Sequence, residues 1–313
     1  MVESNSGRRP RNSTSRWLDL LRDEPTPRRL FNALCSSPAD AAAAPLLAAF
    51  SRGEVVREIA GRAAGVGRVA RTIPHEVGSD HFLDDTLCAL YAMARVRDVL
   101  LLAHQPVPQP DGQVAKLDSA LGREFPRLPP VPVDQMVDLF SLIGCKPLRG
   151  GEFDPIVHEI VVCEQAADPL SAIEVVEEFW PALLIGELVF CRAGVRVRAG
   201  AAHAVAGVAD RSTLAWEYWR RHRLTSDGSF WWGTNSQWRT NFRRDYLTEV
   251  GRIYDFDEAS TWSRRRRLSL LGKQVAQGPS PERISLIKNR CLLRPAAEDQ
   301  NGWQPSFCID ERT

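Results

Sequence analysis

Paired cysteines and long apolar runs are both missing from this sequence of 313 residues. Its seven cysteines are scattered without a C-x-x-C pair, so neither a disulfide framework nor a zinc site is predicted. No apolar run approaches the roughly 18 residues that a membrane helix requires. The polar first residues, MVESNSGRRPRNSTSR, lack the apolar core of a secretory signal. Together these absences predict a cytoplasmic protein without a membrane segment.

Signatures of catalysis and of nucleotide binding are missing as well. The chain has no Gly-x-Ser-x-Gly elbow and no phosphate-binding or dinucleotide-binding loop. The segment HEVGSDH, residues 75–81, departs from the His-Glu-x-x-His spacing of zinc proteases, and Gly78 disfavours the helix which that motif requires. This segment is therefore interpreted as a solvated loop with a helix N-cap. We expect a protein without catalytic residues, metal or cofactor.

The small net charge conceals two oppositely charged regions. The chain carries 40 basic and 39 acidic side chains, for a formal net charge of +1. Residues 151–200 carry 3 basic and 9 acidic side chains, whereas residues 201–313 carry 18 and 13. Two interpretations stay open, because these regions could attract one another within the fold or face different partners.

Changes in composition divide the chain into four regions and predict an α+β fold. Residues 1–15 are polar and predict a disordered lead. Residues 16–130 predict a helical region interrupted by prolines. The composition of residues 131–200 predicts a compact antiparallel β domain with one preceding helix. The composition of residues 205–313 predicts a mixed α/β region rich in tryptophan and arginine.

The strongest predicted helix spans residues 79–104. Its apolar side chains recur at helical spacing and predict one buried face: Phe82, Leu83, Leu87, Leu90, Tyr91, Ala94, Val99 and Leu102. A further helix is predicted over 133–143, closed by Gly144. After Gly150 the pattern changes to β-branched residues that alternate with polar ones, which predicts strands over 156–164, 172–179, 187–191 and 195–198.

The most specific pattern is Phe-Asp-Pro at 153–155, followed after two residues by His158 and Glu159. Asp154 is predicted to bond nearby backbone amides in an Asx turn, and Pro155 to fix the direction of the chain. His158 and Glu159 point to opposite faces of a strand and therefore cannot form one catalytic pair. We assign structural roles to the motif and to the later turn: Phe153, Asp154, Pro155, His158, Glu159 and Gly186.

Within residues 144–199, this motif is followed by a Val-Glu-rich strand, a glycine turn and a basic apolar strand. This order of features resembles the C-terminal β domain of GrpE-type nucleotide exchange factors. Members of that family open the nucleotide-binding lobe of DnaK-type chaperones. The resemblance implies a β head, no cofactor, and a DnaK-type chaperone or related ATPase as partner. The predicted contact surface is the β face and its rim: Val189, Phe190, Arg192, Val195 and Arg196.

The chain departs from the family pattern in four ways. Phe-Trp-Pro at 179–181 stands where the family has Gly-Tyr, and Cys-Arg-Ala at 191–193 stands where the family has Arg-Pro-Ala. Short helices broken by prolines replace the long helical stalk through which family members dimerise. About 110 further residues follow the β domain. The resemblance therefore predicts a shared domain, in an exchange factor or an adaptor.

The C-terminal third concentrates tryptophan and arginine. Six of the nine tryptophans fall within residues 216–262, and residues 211–294 carry 17 basic and 8 acidic side chains. Three interpretations stay open: a small core with a solvated basic exterior, a protein interface, or a surface that stacks bases and neutralises phosphates. The candidate residues for nucleic-acid or anion binding are Trp231, Trp232, Trp238, Arg239, Arg243 and Arg244.

Overall fold

The computed structural model describes residues 26–36, 43–69, 85–105, 131–210, 242, 244–256, 288 and 309–312. Within these ranges, five helices and nine strands form a mixed α+β architecture, which confirms the predicted α+β class at this level. The predicted disordered lead and most of the tryptophan-rich region lie outside the described residues. Among the helices of the described ranges, none combines the length and the apolar character needed to span a membrane.

The helices are, in chain order, α1 (Pro27–Ser36), α2 (Ala44–Ser51), α3 (Glu54–Val66), α4 (Asp85–Leu102) and α5 (Val133–Ser141). Proline stands at the first position of α1, where its missing N–H would be unpaired in any case. After α5 the chain reaches Gly144 in a left-handed conformation, with φ of +91°, which is typical of a residue that terminates a helix. Both α1 and α3 pack against α4.

Helix α4 corrects the expectation of one buried face. Residues 92–100 are all buried, including the charged residues Arg95, Arg97 and Asp98. Helices α1 and α3 contact α4, and Arg97 of α4 also contacts the strand residue Phe190, so both helices and a strand surround α4. Apolar periodicity identifies the most apolar face of a helix, but it does not indicate how many neighbours surround that helix.

The strands are β1 (Lys146–Leu148), β2 (His158–Gln165), β3 (Glu174–Trp180), β4 (Ala182–Ile185), β5 (Leu188–Cys191), β6 (Ala193–Ala199), β7 (Arg244–Thr248), β8 (Gly251–Phe256) and β9 (Ile309–Asp310). Six of them form one sheet of antiparallel pairs in the order β1-β4-β5-β7-β8-β9. Strands from both sides of the predicted boundary near residue 200 are therefore hydrogen-bonded in one sheet.

The remaining strands form a three-stranded sheet in the order β2-β6-β3. Strand β3 is antiparallel to β6, with Glu174 opposite Arg198. Strand β2 is parallel to β6, with His158 opposite Ala193, so the prediction of a purely antiparallel β domain is wrong for this pair. The chain passes through three strands between β2 and β6, and this long connection permits the parallel arrangement.

The core consists of two clusters of buried apolar side chains. The larger cluster lies between the helices and the six-stranded sheet. The second joins residues of the two sheets, for example Val195 of β6, Val189 of β5 and Tyr254 of β8. The two sheets thus pack face to face, and strand β5 contributes side chains to both clusters.

Candidate functional site

The motif at residues 153–159 forms the turn that leads into β2. The Oδ1 atom of Asp154 accepts a hydrogen bond from the N–H of Ile156 at 3.1 Å. The carbonyl of Asp154 accepts further bonds from the N–H groups of Val157 and His158, at 3.1 and 2.8 Å. This arrangement is an Asx turn, which is the role that the sequence predicts for Asp154.

Two arginines tie this turn to the six-stranded sheet. Arg192, the residue between β5 and β6, donates from Nε to the carbonyl of Pro155 at 3.0 Å. It also donates from Nη2 to Oδ2 of Asp245 at 2.7 Å. Arg252 of β8 donates from Nε to Oδ2 of Asp154 at 2.9 Å, and this hydrogen bond raises the pKa of Arg252. The turn therefore connects the β2 end of one sheet with β7 and β8 of the other.

His158 is a buried member of this turn. Its ring stacks on Phe153, with 5.8 Å between the ring centroids, and its Nδ1 atom accepts a hydrogen bond from the N–H of Asp154 at 2.9 Å. Burial lowers the pKa of His158, although Asp154 and Glu178 act in the opposite direction. A proton on Nδ1 would also remove the bond from the Asp154 N–H. The neutral ring is therefore the form that fits the fold.

Acidification is expected to destabilise the protein through His158. The unfolded chain takes up this proton near the ordinary pKa of 6.5, whereas the folded chain resists it, so the free energy of unfolding falls as the pH drops below that value. In His158→Asn, the amide oxygen can accept the Asp154 N–H without a titratable group. Urea unfolding between about pH 7.5 and 5.5 should show a smaller loss of stability for this variant. An equal loss in both proteins would contradict the assignment.

Four of the five residues predicted to contact a partner are buried. The exposed fractions of Val189, Phe190, Arg192 and Val195 are 5%, 1%, 6% and 0%. The prediction of a contact surface at these four residues is wrong for this structure. Helices and the second sheet cover the two faces of β5, Val195 of β6 lies in the core between the sheets, and Arg192 pairs with the buried Asp245. Arg196 alone among the five is partly exposed, with 31% of its side chain accessible.

Phe190 is held by three residues for which the sequence predicts no functional role. The guanidinium of Arg97 in α4 donates to the carbonyl of Phe190 and lies over its ring, 5.4 Å from the centroid. The rings of Phe140 and Phe242 lie 5.3 and 5.6 Å from the ring of Phe190. Burial opposes the charge of Arg97, but Asp98 beside it raises the pKa of Arg97 overall. The sequence feature that could have indicated this role is the pair of opposite charges, Arg97 and Asp98, within an otherwise apolar helix segment.

The outer face of the three-stranded sheet carries a row of charged side chains, here called the charged face: Glu164, Glu177, Arg196 and Arg198. Arg196 donates from Nε to Oε2 of Glu177 at 2.9 Å and from Nη1 to Oε1 of Glu164 at 3.4 Å. Arg198 donates from Nη2 to Oε2 of Glu164 at 3.3 Å. The hydrogen bond with Glu177 raises the pKa of Arg196. The strands thus hold cations and anions alternately on an accessible surface.

Gly186 lies in the turn between β4 and β5, at the contact with α3. Its φ is +60°, and a Cβ atom there would lie 2.3 Å from the carbonyl oxygen of Gly67. The same carbonyl accepts a hydrogen bond from the N–H of Glu187 at 2.7 Å. Gly186 therefore has a structural role, because only a residue without a side chain allows this approach.

Most of the candidate nucleic-acid residues lie outside the described part of the chain: Trp231, Trp232, Trp238, Arg239 and Arg243. Arg244 begins β7, where its guanidinium lies 4.9 Å from the centroid of the Phe256 ring. Binding of nucleic acid or anions by this region stays a prediction. Residues 75–81 also lie outside the described ranges. Among the residues that the structure describes, no group of three or more potential metal ligands occurs.

Comparison with known proteins supplies no relative from which a function could be transferred. No family model matches this chain, and neither a curated protein nor a solved structure matches it. The motif at residues 153–159 and the charged face are therefore the features of this chain that suggest a function.

Proposed function

We propose that this chain is a non-enzymatic protein of the nucleotide-exchange-factor or adaptor type, which binds the ATPase domain of a DnaK-type chaperone or a related ATPase. The resemblance of residues 144–199 to GrpE-type factors motivates the proposal. The observation that carries it is that Arg196, one of the residues predicted to contact the partner, lies on the accessible charged face. The proposed contact is this face, and the buried strand β5 is not part of it.

The charged face has the properties of a specific contact surface. Alternating arginines and glutamates on rigid strands favour a partner with the complementary pattern and disfavour other partners. The ring of Phe179 lies 5.5 Å from the guanidinium of Arg196, and the nearby Val176 is 43% exposed, so apolar area accompanies the charges. A rigid surface that binds the open state of an ATPase more tightly than the closed state shifts the population toward nucleotide release. No catalytic group is needed for this activity.

Removing the guanidinium at the centre of the charged face is expected to impair exchange. In Arg196→Ala, the acceleration of labelled-nucleotide release from a DnaK-type chaperone should fall about tenfold, which is a typical loss for an arginine anchor in an interface. The matched control is Arg62→Ala, because Arg62 is also an exposed arginine that pairs with a glutamate, Glu58, at 2.6 Å. This control lies on α3 and should leave the release rate unchanged.

Stopped-flow measurement of nucleotide release, with gel filtration of the mixed proteins, tests the proposal. Thermal melting of both variants shows whether they remain folded. If the wild-type protein neither accelerates release nor forms a complex with the chaperone, the proposed function is wrong. If Arg196→Ala and Arg62→Ala behave alike while the wild type is active, the contact lies elsewhere on the molecule.

A further inference from the structure

The two edges of the three-stranded sheet differ. At the β2 edge, the N–H of Cys163 donates to Oδ2 of Asp210 at 3.3 Å, and the Gln165 side chain bonds the backbone of Ala204 and Ala206. The segment 201–210 therefore covers this edge. At the other end of the sheet, β3 pairs with β6 and is an edge strand of the described sheet. Edge strands present backbone N–H and C=O groups that can pair with another chain.

A groove of about 670 Å³ runs beside the start of β3. The half-buried side chains of Phe153, Ile173 and Val175 supply apolar lining, and the exposed Glu152 and Glu174 supply the charged lining. Both charged residues of the lining are thus acidic. On the sheet side, Arg198 lies 3.9 Å from Glu174.

The wall of the groove opposite β3 is attached to β3 by hydrogen bonds. The N–H of Gly150 donates to Oε2 of Glu178 at 3.0 Å, and Nη1 of Arg149 donates to Oε1 of the same residue at 3.4 Å. Glu178 belongs to β3, so the loop that precedes the motif is held at a fixed distance from the strand. The groove is therefore formed before any ligand enters, which lowers the entropic cost of binding.

We infer that this groove binds an extended basic segment of a partner protein, which adds to β3 as a further strand. Strand addition uses the backbone groups of the edge for affinity and the side-chain sites for specificity. Basic side chains of the added segment would meet Glu152 and Glu174, while its apolar side chains would contact Phe153, Ile173 and Val175. The inference goes beyond the proposed function, since it concerns the sheet edge and requires no chaperone.

A second copy of this chain fits the edge less well than a basic partner. Strand β3 carries three glutamates, Glu174, Glu177 and Glu178. Pairing of β3 with another β3 would bring these carboxylates close together across the new strand pair, and like charges on neighbouring strands are destabilising. Glu177 and Glu178 already bond Arg196 and Arg149, so the groove-lining Glu152 and Glu174 are the glutamates that favour lysine or arginine in the added strand. The acidic side chains at this edge therefore favour a basic segment of a partner protein over a second copy of this chain.

A labelled heptapeptide of alternating lysine and valine is the probe, and fluorescence anisotropy with the full-length protein is the measurement. The peptide should bind, and a peptide with glutamate in place of lysine should not. Two further peptides carry N-methyl groups on one or the other alternate set of backbone amides. In strand addition, only the set that faces β3 contributes hydrogen bonds, so only one of the two should lose binding, by about tenfold or more.

The charge requirement is tested by a double variant, Glu152→Gln with Glu174→Gln, which should weaken binding of the lysine peptide about tenfold. The matched control is Glu249→Gln, an exposed glutamate in the turn between β7 and β8. Equal binding of the lysine and glutamate peptides, equal effects of the two N-methyl patterns, or no loss in the double variant would each overturn the inference. Self-association of the protein without peptide binding would also overturn it, in favour of a second copy.

Discussion

Replacing Asp245 by alanine is expected to lower the free energy of unfolding by about 3–5 kcal/mol, because it leaves a buried guanidinium without its carboxylate. Nη2 of Arg192 lies 2.7 Å from Oδ2 of Asp245, and the two side chains are 5% and 4% exposed. The arginine also donates to the carbonyl of Pro155, so it has no route to solvent without breaking the turn. Urea unfolding monitored by circular dichroism measures the loss.

Two controls separate this explanation from a general effect of truncation. In the double variant Arg192→Met with Asp245→Leu, most of the stability should return, because apolar side chains of similar volume can replace a buried ion pair. About 1 kcal/mol should remain lost, since the bond to Pro155 is absent. Glu58→Ala, which breaks the exposed pair with Arg62, should cost less than about 1 kcal/mol. Equal losses for Asp245→Ala and Glu58→Ala would contradict the prediction.

Gly194→Ala is expected to destabilise the protein by about 3 kcal/mol through overpacking. A Cβ atom at this position would lie 2.2 Å from Cζ2 of Trp180. The indole is fully buried, and its Nε1 atom donates to the carbonyl of Arg192 at 2.9 Å, so the ring cannot turn away without losing this bond. Strand β6 cannot move either, because it pairs with β2 on one side and β3 on the other. Thermal and urea unfolding measure the change.

Replacing the Trp180 indole by a smaller ring tests whether its contact with the new Cβ atom causes the loss of stability. Phenylalanine lacks the outer part of the two-ring system, so Trp180→Phe with Gly194→Ala should lose less stability than the sum of the single variants. Additive losses would indicate that the contact with Trp180 is not responsible. The matched control is Gly61→Ala in α3, where a Cβ atom would meet nothing within 4 Å. Alanine favours helix over glycine, so this control should raise stability by up to about 1 kcal/mol.

Local structure followed from the sequence wherever neighbouring residues decide it. The alternation of β-branched and polar residues predicted β2, β3, β5 and β6 close to their observed bounds. The helix predicted over 133–143 is observed over Val133–Ser141, and Gly144 follows it with a positive φ. The Asx turn of Asp154 was likewise predicted, because its hydrogen-bond partner is two residues away. These features depend on short segments, for which composition and spacing are sufficient.

Contacts between distant segments could not be predicted in this way. Arg192 was interpreted as an accessible contact residue, but Asp245, 53 residues later in the chain, pairs with it in the interior. Phe190 was placed on the same predicted surface, but the buried Arg97 of α4 covers it. Neither partner carries a local signal that identifies its position in space.

Composition and spacing were sufficient for four strands, β2, β3, β5 and β6, for the helix that precedes them, and for the turn built by the motif at residues 153–159. Tertiary structure decided that β2 runs parallel to β6, that β7 extends the sheet begun by β1, β4 and β5, and that Arg196 stays accessible while Arg192 does not. The physical reason is that periodicity shows which side chains share a face of a strand. What covers that face depends on segments that reach it only when the whole chain folds.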